Sequence, residues 1–260
     1  MSTTHTVFVG VSALLFAASA TLTTMWSASM SAMGGMLMPG GWTMSMTWMR
    51  MPGQTWPGVA ATFISMWVVM MVAMMLPSVV PMLWRYHEAV GRTRDARPGW
   101  LTALAGAGYF FVWTVFGLAA FPLGAALTTI LMRQPALSRA VPLAIGIVVL
   151  MAGAFQFTAW KARQLACCRD ASGLSIATPV DAGDALYHGV RLGLQCGPCC
   201  ANMMVILLVA GMMDLRVMAV VTAAITIERL APAGERVARA VGAIVTAGAL
   251  VLIARASGLA

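Results

Sequence analysis

Long apolar runs alternate with short polar connectors along this chain, and the runs have the length that a helix needs to cross a lipid bilayer. At 1.5 Å per residue, a hydrocarbon core of about 30 Å takes about 20 residues. Such runs are read at residues 7–26, 58–83, 100–123 (with an extension to 132), 141–160, 192–213 and 237–253, with a shorter one at 215–227. The predicted fold class is all-α, a polytopic transmembrane helix bundle of about seven helices forming one integral membrane domain over residues 1–260. A Met-rich connector, residues 27–57, separates the first two runs. A Cys-containing connector, residues 161–187, separates the fourth from the fifth. Ala18-Ser19-Ala20 is the kind of small-residue site at which a signal peptide is cut. The residues before the first run carry no Lys or Arg, so a retained helix is expected instead.

Charge orients these runs. The connector after the second run holds Arg85, Arg92, Arg94 and Arg97, which by the positive-inside rule places it in the cytoplasm. Alternating from a cytoplasmic N-terminus puts eleven of the 16 Lys and Arg inside. The Met-rich connector is then external and the Cys-containing one cytoplasmic. With 60% hydrophobic residues, 9% charged residues and a mean hydropathy of +0.86, the composition lies far from that of soluble domains. The net charge of +8 therefore reports membrane topology, and nucleic acid is excluded as a partner. The expected location is a bacterial inner (plasma) membrane, with multiple passes and the lipid bilayer as a partner.

Sulfur supplies the candidate chemistry. Residues 195–204 read Gln-Cys-Gly-Pro-Cys-Cys-Ala-Asn-Met-Met. On a helix, Cys196, Cys199 and Cys200 lie at i, i+3 and i+4, and Met203 extends the same face. Thiolates and thioethers suit a soft transition metal ion, with copper as Cu(I) favoured and zinc the alternative through Cys and His. Cys196-Gly197-Pro198-Cys199 is also the C-x-x-C of dithiol oxidoreductases, without their βαβ context. The structural alternative is that Cys and Met simply fill gaps between helices.

Other sulfurs recur along the chain. In the second run Met66, Met70 and Met74 follow each other at helical spacing with Met71 and Met75 beside them, before Pro77 and Pro81, which are expected to loosen its exit. The Met-rich connector carries eight methionines, from Met30 to Met51. Thioethers need no deprotonation to bind Cu(I), so this connector is either a capture site or an interfacial belt with Trp42, Trp48 and Trp56. Cys167 and Cys168 lie beside Lys161, Arg163 and Arg169, whose charges are expected to lower the thiol pKa values. His188 opens the fifth run as a borderline imidazole ligand. Glu228 ends the sixth, where a carboxylate inside the membrane boundary reads as functional, or else as a contact of water or Arg229.

These stretches resemble an uncharacterised bacterial family of predicted metal-binding integral membrane proteins, a domain of unknown function. Its pattern is a Met-rich second helix ending in proline, a Lys-x-x-Cys-Leu-x-x-Cys-Arg loop and a Cys-x-x-Cys-Cys helix followed by a Glu. The matching residues are Met66-Trp67 with Met70 to Pro77, the loop from Gln156 to Arg169, and Cys196-Gly197-Pro198-Cys199-Cys200 with Glu228. The resemblance covers about residues 60–232 and implies metal binding without an assigned activity. Gln164 stands where that pattern has its first loop cysteine, and Cys167 is additional.

The reading that unites these features is an integral membrane protein that binds copper through Cys and Met for metal handling or transfer. Its ligands would come from Cys196, Cys199, Cys200, Met70, Met71, Met74, Met75, Met203, Glu228, Cys167, Cys168 and His188. The second and fifth runs are expected to face each other so that thioethers complete the thiol site. Partners would be the metal ion and a metallochaperone or other membrane subunits. The alternatives are a membrane thiol-disulfide relay using Cys196 and Cys199, and a structural subunit of a membrane complex. No Walker A, nucleotide fingerprint or Ser-His-Asp constellation is present, so an enzyme is not the favoured reading.

Overall fold

A computed structural model describes residues 3–32, 34–50, 53–92, 97–170 and 181–258. Of the described residues, 86% are helical. Its elements run in the order α1 (Thr3–Ala32), β1 (Met36–Met38), β2 (Trp42–Met44), a 3-10 turn (Met46–Trp48), α2 (Trp56–Val90), α3 (Pro98–Arg133), α4 (Pro135–Phe155), α5 (Ala159–Asp170), α6 (Ala182–Ala210), α7 (Leu215–Leu230) and α8 (Gly234–Ala256). Six of these helices, α1, α2, α3, α4, α6 and α8, are long and apolar enough to cross a membrane. At 16 residues, or about 24 Å, α7 is shorter. Its ends nevertheless reach both ends of the bundle. Ser27, near the end of α1, donates to the Met213 carbonyl just before α7, while Arg229 at the end of α7 reaches Ser78 and Met82 of α2. The run read at 215–227 is thus a helix packed among the six spans, and it is shorter than any of them.

The passes alternate because the connectors are short. His5 packs edge-on against Trp84 and Phe8 at a tilt against His87, so the start of α1 sits beside the end of α2, at the basic end of the bundle with Arg85. The Met-rich segment lies at the opposite end. There the Trp42 indole donates to the Ser138 carbonyl at the start of α4.

Three local results depart from the sequence reading. Within the expected Met-rich loop, α1 continues to Ala32 and a hairpin follows, pairing Met36 with Met44, Leu37 with Thr43 and Met38 with Trp42. Within the expected Cys-containing loop, residues up to 170 are helical as α5. Pro77, Pro81 and Pro198 do not end their helices; α2 runs on to Val90 and α6 to Ala210. Proline inside a helix is tolerated in a membrane bundle, where packing against neighbouring helices offsets the lost N–H. Met33, Met51, Arg94 and residues 171–180 lie outside the described residues.

The core sits on α2 and α6. More than half of the apolar window of each, 56%, is buried inside the protein, against 11% for α1 and α3. Close approach of α3 to α6 positions the site. A Cβ at Gly189 would overlap the Ala105 carbonyl, and one at Gly193 would crowd Val112 and the Tyr109 carbonyl. Glycine at these positions lets the two backbones touch, which brings the Tyr109 side chain onto Cys196.

Candidate metal centre

Because α6 stays helical through Pro198, the three cysteines keep their i, i+3, i+4 spacing and all are buried. The Sγ atoms of Cys196 and Cys200, one turn apart, lie 3.5 Å from each other. Cys199 interacts with the thiols of both Cys200 and Cys168. Four thiols from α5 and α6 therefore form a continuous chain. Among the described residues no three His, Cys, Asp or Glu side chains already converge as a metal-holding group.

The pair Cys167-Cys168 is split by the helix that carries it. Successive residues on a helix point about 100° apart, so Cys168 is buried against α6 while Cys167 is exposed. Cys168 donates to the Gln195 carbonyl at 3.1 Å. The expected lowering of its pKa is reversed. The hydrogen bond it shares with Cys199, and next its burial, push the Cys168 thiol up, outweighing the positive charge of Arg229.

An ionic layer closes around these sulfurs. Lys161, 1% exposed, donates to the Cys199 carbonyl at 2.6 Å and to Asn202 Oδ1 at 3.4 Å, and pairs with Glu228 at 2.8 Å. Three partners match the three N–H bonds of its ammonium. Glu228 also accepts a 2.6 Å bond from Gln156 Nε2. The expected contact of Glu228 with Arg229 or water is thus taken by Lys161, which is long enough to reach from the first turn of α5. The Asn202 amide in turn donates to the Ala152 carbonyl, tying the layer to α4.

Arg229, the next residue, faces the thiols instead. Its Nη1 donates to Ser78 Oγ at 2.9 Å and to Cys196 Sγ at 3.2 Å, and its Nη2 donates to Met82 Sδ at 3.2 Å. Tyr109 donates its hydroxyl to the same Cys196 sulfur at 3.1 Å. Arg229 is 4% exposed, its Nε has no hydrogen-bond partner, and among the described residues no carboxylate pairs with it. A buried guanidinium without an anion is costly. The space beside it is a cavity of about 210 Å³ lined by Pro81, Met82, Arg85, Leu230 and Pro232 at the basic end.

The methionines share this interior. Met70, Met71, Met74 and Met75 are at most 1% exposed, and with Met203 they belong to the same continuous buried cluster as the cysteines. The expected facing of the second and fifth runs takes an indirect form, since α3 and α7 pack against both α2 and α6. Met82, unremarked in the sequence, is the α2 thioether tied to the thiols through a shared guanidinium. His188 stacks on Tyr86 with ring centres 4.6 Å apart, about 12 Å along the helix from Cys196.

Sequence reasoning missed Lys161 as a site residue, along with Arg229, Tyr109, Gln156 and Asn202. Arg229 carried a usable signal, because a charged residue inside a membrane span is functional by default. Lys161 and Gln156 bounded the quoted loop motif. Tyr109 had none, since its role depends on how closely α3 meets α6.

Against known proteins, a family model described as PpoB2, copper chaperone, matches residues 64–252. No curated protein and no solved structure matches the chain.

Proposed function

The chain belongs to the PpoB2 copper chaperone family, and from that premise we propose that it is a multi-pass membrane protein holding Cu(I) as cargo at the buried thiols of α6. Cys196, Cys199 and Cys200 are the principal ligands in this reading. Cys168 borders them, and Met70, Met71, Met74, Met75 and Met203 supply thioethers on either side. The observation that carries the reading is Arg229. A Cu(I) ion held by two or three thiolates bears a net negative charge, and the buried guanidinium on Cys196, which pairs with no carboxylate among the described residues, offsets that charge.

The remaining residues each have a task. Lys161 and Glu228 cancel one another and hold α5, α6 and α7 together, so the charge of Arg229 is left for the sulfurs. Tyr109 steers the Cys196 sulfur, and Ser78 and Met82 hold the guanidinium in place. Thioethers exchange Cu(I) without a proton, which suits steps toward and away from the thiols. We place the basic end in the cytoplasm and the membrane as a bacterial inner membrane. The cavity beside Arg229 then opens on the side from which a soluble metallochaperone would exchange the ion.

A thiol-disulfide relay is the second reading, favoured by the 3.5 Å approach of Cys196 and Cys200. One experiment separates the two. Purified anaerobically under reducing conditions and loaded with Cu(I), the wild type should retain the ion, while Cys196→Ser, Cys199→Ser and Cys200→Ser should each release it to a competing chelator. A wild type that retains no copper but cycles a Cys196–Cys200 disulfide establishes the relay.

A further inference from the structure

Residues 36–44, outside the span that matches the copper chaperone family, hold a second sulfur arrangement. The hairpin turn places Gly40 and Gly41 at φ of +107° and +77°, conformations that suit glycine, and Gly41 N–H closes it onto the Met38 carbonyl. That turn sets the register. Met36 pairs with Met44 and Met38 with Trp42, so all four side chains lie on one face of the hairpin, while Leu37 and Thr43 lie on the other.

The two faces differ in chemistry. Leu37 points outward at 75% exposure, whereas Met38 and Met44 are 7% and 4% exposed and Met36, at the open edge, is 37% exposed. An isolated pair of three-residue strands has little stability of its own. Here the hairpin is pinned to the start of α4. The Trp42 indole donates to the Ser138 carbonyl at 2.9 Å, Ser138 Oγ donates to the Pro39 carbonyl at 3.2 Å, and Gly40 packs on the Arg139 backbone. Met36 and Met44 are directly paired, about 5 Å apart at Cβ, and Met38 lies two residues along the same strand face from Met36, about 7 Å away, distances that three flexible thioethers can close around one ion.

We propose that Met36, Met38 and Met44 form a thioether-only Cu(I) site at the end of the bundle away from Arg85, with the Trp42 indole beside it as a cation-binding ring. The choice of Cu(I) rests on the reading of the thiol centre given above. Exposed Met36 is the entrance, and buried Met38 and Met44 hold the ion. The hairpin lies next to the 3-10 turn, whose Trp48 packs on Phe63 of α2, one turn before Met66 and the methionine series that descends toward the thiols. The site loads the membrane interior from that end.

The test uses the full chain, purified in detergent under reducing conditions, with Cu(I) counted against a chromogenic Cu(I) chelator. The wild type should bind two ions. Met36→Leu/Met38→Leu/Met44→Leu, which keeps side-chain volume, should bind one, and Cys196→Ser/Cys199→Ser/Cys200→Ser should also bind one. If the triple leucine variant fails to fold, Met36→Leu alone serves, because the side chain is partly exposed; it should weaken the second ion by roughly tenfold or more. Unchanged stoichiometry and affinity in the leucine variants, or no ion bound by the triple serine variant, overturns the hairpin site. Two ions bound by the triple serine variant would instead count against the thiol centre.

Discussion

Two regions of the protein gather sulfur, and they are built on opposite principles. The thiols of α6 lie fully buried among charges, where Lys161, Glu228 and Arg229 are all at most 4% exposed. The methionines of the hairpin sit at one end of the bundle, and the side chains that pin them, Trp42 and Ser138, are neutral. The difference follows from the donors. A thiolate ligand brings a negative charge that must be balanced in a medium of low dielectric, so the fold supplies buried cations; a thioether brings none, and a pinned strand pair suffices.

The largest effect expected from breaking this contrast is at Lys161. Lys161→Met breaks the buried Lys161–Glu228 pair and should cost about 3–5 kcal/mol in detergent unfolding. Lys161→Met/Glu228→Gln should recover a large part of that loss. Equal stability of wild type and Lys161→Met would mean that the pair does not hold α5 to α7.

Next comes Arg229. Removing its charge while keeping the helix, as in Arg229→Gln, should weaken Cu(I) binding by roughly 10- to 100-fold, the range of outer-shell partners of a metal ligand. The hairpin ion, counted in the same titration, should be untouched. Loss of both ions together would erase the distinction between the two regions.

A smaller change is expected in the hairpin itself. Met38→Leu and Met44→Leu conserve volume, so unfolding should shift by less than about 1.5 kcal/mol. A larger shift would recast these methionines as structural packing. Smallest of all is Cys167→Ser, on the exposed face of α5, which should stay within about 0.5 kcal/mol and leave Cu(I) binding at the wild-type level. Cys168→Ser, by contrast, should alter the binding of the thiol-centre ion, because Cys168 touches both Cys199 and the Gln195 carbonyl.

Much of the architecture was legible because membrane helices announce themselves by length and apolarity. Every expected run has its helix, and even the short sixth run at 215–227 appears as Leu215–Leu230. The thiol register was legible too, since i, i+3, i+4 spacing survives Pro198. Partner choice was not. Glu228 stood out as a carboxylate, yet its partner lies 67 positions earlier, and only the packing of α5 against α7 brings Lys161 to it. Periodicity reports which face of a helix is buried and nothing about which helix covers it. The hairpin escaped for a related reason: three-residue strands are too short to show alternation, and the two glycines of the turn hold their register.

The central claim is that the buried thiols, balanced by Arg229, hold Cu(I). X-ray absorption on the Cu(I)-loaded Met36→Leu/Met38→Leu/Met44→Leu protein isolates that centre and tests it most directly. The account predicts one copper ion in the monovalent state with a shell made only of sulfur, lost in Cys196→Ser. A shell dominated by nitrogen or oxygen, or a spectrum unchanged by Cys196→Ser, would contradict it.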